Sequence, residues 1–252
     1  MNIPLNFEWI EAVMLAAVRM TVFLVVAPPF SYKAIPLRIK AMLGIGLALA
    51  VAPRVTQGYT SADTAGFITA LVLEIVVGGA LGFLVMIVFA AVQSAGMVID
   101  VFSGFQVAQS FDPQSGIDGA QFSRLFHMTA LALLFTSGGY QLIVGGLART
   151  FTALPIGRGI DLASPVQAMT NAVGQMLVSA LQVAGPLIVV LFLADVGLGL
   201  LTRVAPALNV LALGYPLKII LALVLGGTVF IALPGIVSSL TGQAVDTLVG
   251  VR

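Results

Sequence analysis

Three ionisable residues, Arg19, Glu74 and Asp195, stand inside long apolar runs. Each costs about 2.5–3.5 kcal/mol on insertion into hydrocarbon, so each needs a partner or water. Residue type alone leaves two readings open. Either these groups pair between helices or snorkel from helix ends, or Glu74 and Asp195 line a proton or ion path, as in a small ion-coupled secondary transporter. Other chemistry has little foothold. His127 is the single histidine and there is no cysteine, which excludes disulfides, thiolate metal sites and a multi-histidine zinc site within the chain. Asp112 and Asp118 lack the Asp/Asn alternation of a calcium loop, and Asp112 before Pro113 reads as a turn initiator. The sequence holds no phosphate loop, no GxSxG elbow and no HExxH pair. We expect neither catalysis nor a cofactor.

The elements that must hold these residues are hydrophobic throughout. With 60% hydrophobic residues, 8% charged residues and a mean hydropathy of +1.12, the composition is that of a polytopic membrane protein. A formal charge of +1 gives no pull toward nucleic acid. Glu8 and Glu11 occupy the place where a secretory signal carries basic residues, so the first apolar segment is expected to be retained. The fold expected is an all-α membrane protein of about six hydrophobic segments, in a single integral domain over residues 1–252.

The segments are uneven. Ile10 to Phe30 is long enough to cross a roughly 30 Å hydrocarbon core and ends at Pro28-Pro29. After the basic link Tyr32 to Lys40, the run Ala41 to Ala52 is too short to span unless it borrows flanking residues. Phe67 to Val92 is full length, and its Gly78/Gly82 pair has the spacing that lets helices approach closely. Leu125 to Thr136 and Leu142 to Ala148, separated by Ser137-Gly138-Gly139-Tyr140-Gln141, predict a broken helix or hairpin. Met176 to Leu201 contains Pro186, where a kink is expected, and Asp195, which calls for a buried partner. Leu217 to Val237 is expected to break at Gly226-Gly227 and Pro234. Interrupted helices survive in lipid only where protein or a water-filled cavity surrounds the break, which favours a subunit of a larger assembly. The distribution of Lys and Arg favours a cytoplasmic Tyr32 to Lys40 link.

Between the third and fourth segments lies a polar, glycine-bearing island, Asp100 to Gln121. In it and at its edge, Phe102, Phe105, Phe111 and Phe122 are interspersed with Gln106, Gln109, Gln114 and Gln121, so it can pack on apolar surface and hydrogen-bond without charge. It reads either as an interfacial turn or as a constriction inside a pore, where non-helical backbone is tolerated at membrane depth.

GMVIDVFSGFQ from Gly96 and DPQSG from Asp112 carry a resemblance to the FliR/SctT family of type III secretion export-gate subunits. Further matching pieces, in order, are APPFSYKAIPLRIK from Ala27, GALGF from Gly79, FTALPIG from Phe151 and GLLTRVAPALNVLALGYPLKI from Gly199. The chain departs from the family pattern at Ala207 and Leu211, where glutamine and phenylalanine are usual, and at Tyr140 and Gln141, where histidines are common.

The resemblance implies kinked helical hairpins assembled with FliP and FliQ into an export channel in the bacterial inner membrane, at the flagellar basal body, with FlhB and FlhA as further partners and unfolded proteins as substrates. It also implies a FliP-like part over about 1–172 and a FliQ-like part over 173–252. The channel plug would include Gly104, Phe105, Gln106, Phe111, Asp112, Pro113, Gln114, Ser115 and Gly116. Arg203, Pro206 and Asn209 would shape a link in the second half, joining Arg19, Glu74 and Asp195 as buried polar or structural residues.

Overall fold

The computed structural model describes residues 7–32, 34–61, 63–105, 121–157, 163–205 and 210–250, and among these all regular structure is helical. In chain order the helices are α1 (Phe7–Val26), α2 (Leu37–Val55), α3 (Thr64–Ser103), α4 (Gln121–Thr136), α5 (Gly139–Ala153), α6 (Ala163–Val204) and α7 (Val210–Gly250). Four of them are long and apolar enough to cross a membrane: α1, α3, α6 and α7. The pair α4 and α5 passes the same test jointly, bent by 76° at its break. The protein is an all-α membrane protein.

Local chemistry accounts for several helix ends. α3 starts where the Asp63 carboxylate accepts the Gly66 N–H at 3.0 Å, using one of the orphan donors of the first turn. α4 stops at Gly138, whose φ of +72° no β-carbon favours. The next glycine, Gly139, leaves no room either, since a β-carbon there would lie 2.6 Å from Leu134 Cδ1. The broken helix expected at this point is present, and glycine is its cause.

Three helices are longer than their apolar runs suggest. α3 has 40 residues, α6 has 42 and α7 has 41, about 60 Å each at the helical rise and roughly twice the hydrocarbon thickness. The breaks expected at Gly226-Gly227 and Pro234 do not occur, because α7 runs through both and through Pro216. Pro186 likewise lies inside α6. A proline removes one backbone bond, whereas ending a helix in an apolar setting would strand several polar groups at once. α2 extends to 19 residues by taking in Arg38, Lys40 and Arg54 at its ends, so it is not among the four apolar spans.

The chain forms two compact units that interleave along the sequence. One comprises Met1–Val88, Leu134–Val173 and Ser239–Arg252, the other Phe89–Leu133 and Gly174–Ser238. In the first, α1 packs on both α2 and α3. A β-carbon at Gly78 would lie 2.5 Å from the Arg19 carbonyl oxygen, and one at Gly82 would lie 2.9 Å from Val26 Cβ. The Gly78/Gly82 pair therefore does seat a neighbouring helix, which is α1. In the second unit, glycine performs the same service at Gly96 and Gly226, as described below.

Candidate functional site: the feet of the polar island

Arg19 and Glu74, in the first unit, bind each other. The Arg19 guanidinium donates through Nε to Glu74 Oε2 at 2.5 Å and through Nη2 to Oε1 at 2.9 Å, a two-pronged match of planar groups. Nη1 donates to the Leu154 carbonyl at 2.9 Å, and the guanidinium carbon sits 4.3 Å from the centre of the Phe151 ring. Arg19 is 1% exposed and Glu74 2%. One residue thus ties α1 to α3 and to the end of α5. Nearby, the Tyr59 hydroxyl donates to Glu11 at 3.3 Å, and burial, followed by the charge of Glu11, raises the Tyr59 pKa above 10.0.

Asp195 and Lys218, in the second unit, form a second ion pair, at 2.9 Å between α6 and α7. Here the expectation of burial fails: the Asp195 side chain is 47% exposed, and Arg203 is also exposed. α6 and α7 bury little of their own surface in this chain, so a charge on them is covered only by what its hairpin partner offers. The pair borders a cleft of about 290 Å³ lined also by Thr202, Gly214 and Tyr215.

The base of the polar island is built from a single face of α3. Gly96, Asp100 and Gly104 recur every four residues and so line one stripe. At Gly96 the backbones of α3 and α4 touch, because a β-carbon there would lie 2.6 Å from both the N and Cα of Ser123. One turn on, the Asp100 carboxylate accepts the N–H of Phe122 on Oδ1 and the N–H of Ser123 on Oδ2, both at 2.9 Å. These N–H groups belong to the first turn of α4, where no intrahelical acceptor exists and where the helix dipole favours an anion. Asp100 is completely buried.

One further turn brings Gly104, which ends the stripe with a φ of +84°, and here too a β-carbon would clash, lying 2.7 Å from the Tyr215 ring. Phe105, immediately after, meets Phe122 edge to face with ring centres 5.8 Å apart. Phe122 continues the ladder to Phe126 at 5.9 Å, and Phe126 to Phe230 at 5.9 Å. Gly226 makes room for the Phe122 ring, since a β-carbon there would lie 2.6 Å from it. Both feet of the island are therefore tied to one base.

Of the residues expected in the plug, Gly104 and Phe105 belong to this base. Gln106, Phe111, Asp112, Pro113, Gln114, Ser115 and Gly116 lie outside the described residues, as do Pro206, Asn209 and Asp118. Asp100, Gly96 and Tyr215 were not singled out from the sequence. The spacing Gly-x3-Asp-x3-Gly held the signal for the first two, but a stripe acquires meaning only once its opposing helix is known. No group of three His, Cys, Asp or Glu residues that could hold a metal occurs among the described residues.

The sequence matches the bacterial export proteins, family 1, across residues 10–244. The chain belongs to this family. It is 28% identical to the flagellar biosynthetic protein FliR of Pectobacterium carotovorum over 241 residues, covering 96% of this chain and 92% of that protein. It is 31% identical to FliR of Escherichia coli K12 over 212 residues, covering 84% and 81%, and 31% identical to the Yop proteins translocation protein T of Yersinia pestis over 175 residues, covering 68% and 67%. Membership of an export family leaves the ion-coupled transporter reading unsupported. The geometry weighs against it as well, because Glu74 is locked to Arg19 with both carboxylate oxygens engaged.

Proposed function

We infer that this protein is a non-enzymatic subunit of the flagellar type III export apparatus, contributing to the channel through which unfolded substrates leave the cell, with the segment 104–121 as part of the plug that closes it. The observation that carries the reading is the family match over residues 10–244. The flagellar relatives cover more of this chain, at 96% and 84%, than the virulence relative does at 68%, which favours the flagellar branch.

The physical features fit a subunit rather than a lone carrier. The half-exposed Asp195–Lys218 pair is costly against lipid tails and affordable against water or protein. Helices of about 60 Å reach well beyond a single bilayer and need neighbours along their length. We assign FliP and FliQ as the neighbours in a hetero-oligomeric channel, FlhB and FlhA as further contacts, and the inner membrane at the basal body as the location. The division into a FliP-like part over 1–172 and a FliQ-like part over 173–252 belongs to the same proposal, as do the link roles of Arg203, Pro206 and Asn209.

Copurification tests the reading. Affinity-tagged protein extracted in mild detergent should bring down other small membrane proteins of the export apparatus, and deleting its gene should stop export of flagellar subunits. Removing residues 108–118 should make cells leak ions. A tagged chain that purifies alone and transports a solute in vesicles would overturn the assignment.

A further inference from the structure

We propose that Asp100 is the positioning residue of the plug: a carboxylate clamp that holds the two feet of the island together and stays shut while the channel works. The proposal rests on the gate reading of segment 104–121 and adds to it which part of the gate does not move.

The clamp has no slack. Both Asp100 oxygens are engaged at 2.9 Å by consecutive N–H groups of α4, and the residue is buried. A charged acceptor at a helix start, with two charge-assisted bonds out of contact with water, is among the stronger polar contacts a protein makes. Removing it strands two buried donors in a setting where unmade hydrogen bonds are expensive. Substitution has little tolerance in either direction. Asparagine keeps one acceptor oxygen and turns an NH₂ group toward the second N–H, while glutamate is one methylene too long for a crossing already closed to backbone contact at Gly96.

Packing above and below the clamp argues that it stays shut. The Gly96 crossing lies one turn below, and the Phe105–Phe122–Phe126–Phe230 ladder, with Phe122 seated on Gly226, braces the α4 side. Opening the feet would separate the Gly96–Ser123 crossing, the Asp100 bonds and the Phe105–Phe122 contact together, while α4 stays anchored on α7 through Phe126–Phe230 and Gly226. Gly104, at φ +84° and against Tyr215, ends α3 and fixes the α3 foot.

The natural chain has no cysteine, so engineered thiols report cleanly. In the assembled apparatus, F105C/F122C joined by a short cleavable bis-maleimide should export within about twofold of the unlinked protein, a difference under half a kcal/mol at 1.4 kcal/mol per tenfold. Loss of export on linking, recovered on cleavage, would show that the feet must part and would sink the proposal. In the same complex D100A should copurify normally, raise ion leak several-fold and speed amide exchange at Phe122 and Ser123, with D100N intermediate in both. Unchanged exchange in D100A would remove the clamp outright. Deletion of residues 108–118 separates the two ideas: a leak from the deletion but none from D100A defeats the clamp alone. No leak from either defeats the gate reading, and the exchange measurement then still decides whether Asp100 holds the feet.

Discussion

Two ion pairs link apolar helices among the described residues, and they are built in opposite ways. Arg19–Glu74 is sealed, two-pronged, stacked on Phe151 and joined to a backbone carbonyl. Asp195–Lys218 is a single contact, half open on the Asp195 side. The surroundings follow suit. The most apolar stretches of α1 and α3 are 50% and 61% buried within the chain, against 22% for each of α6 and α7. The first pair serves the chain's own fold. The second sits on helices that the chain itself leaves uncovered, open to lipid or to other subunits.

That contrast can be broken by substitution. Replacing Arg19 with alanine leaves Glu74 buried and uncompensated, a loss of about 3–5 kcal/mol. R19A should therefore fall sharply in membrane abundance and in thermal stability in detergent, and a stable R19A protein would show that the sealed pair is not structural. R19M/E74L, which removes both charges, should recover much of the loss. Next in size, G78L would drive a side chain into the Arg19 carbonyl. It should cost about 1–3 kcal/mol through forced separation of α1 and α3, visible as a lowered melting temperature.

At the other pair the same test should give little in the isolated chain. D195N or K218M is expected to change its stability by less than about 1 kcal/mol, because the pair is partly open. The effect should appear in assembly, as reduced recovery of partner subunits from D195N complexes. A large stability loss in the isolated D195N chain would erase the distinction between the two regions. The smallest effect belongs to Tyr59. Its folded-state pKa is raised, so the fold favours the protonated hydroxyl. That contribution is intact below about pH 10 and is lost as pH rises through the folded value. Y59F should accordingly flatten the alkaline limb of a stability profile, and at neutral pH should cost only the hydroxyl's 3.3 Å hydrogen bond to Glu11.

Much of this was legible from residue order. Composition announced a membrane protein, and Ser137-Gly138-Gly139 announced the break between α4 and α5. Gly78 and Gly82 announced a close helix approach, because a missing β-carbon has the same consequence wherever a helix docks. The extent of α7 was misread for a physical reason. Pro216, Pro234 and Gly226-Gly227 lower helix propensity locally, but in an apolar setting the cost of unmade backbone bonds outweighs propensity. Asp195 was read as buried because an apolar sequence neighbourhood does not reveal whether a helix face is covered by its own chain.

Sequence by itself therefore determined the class of protein, its family and the location of the polar island. Residue types and their order carry those properties directly. Only the tertiary structure decided which charges meet and which are sealed, and it alone placed Asp100 beneath the island as a clamp. A carboxylate acquires that role from two N–H groups 22 and 23 positions away, a relation that exists only once α3 and α4 have crossed at Gly96.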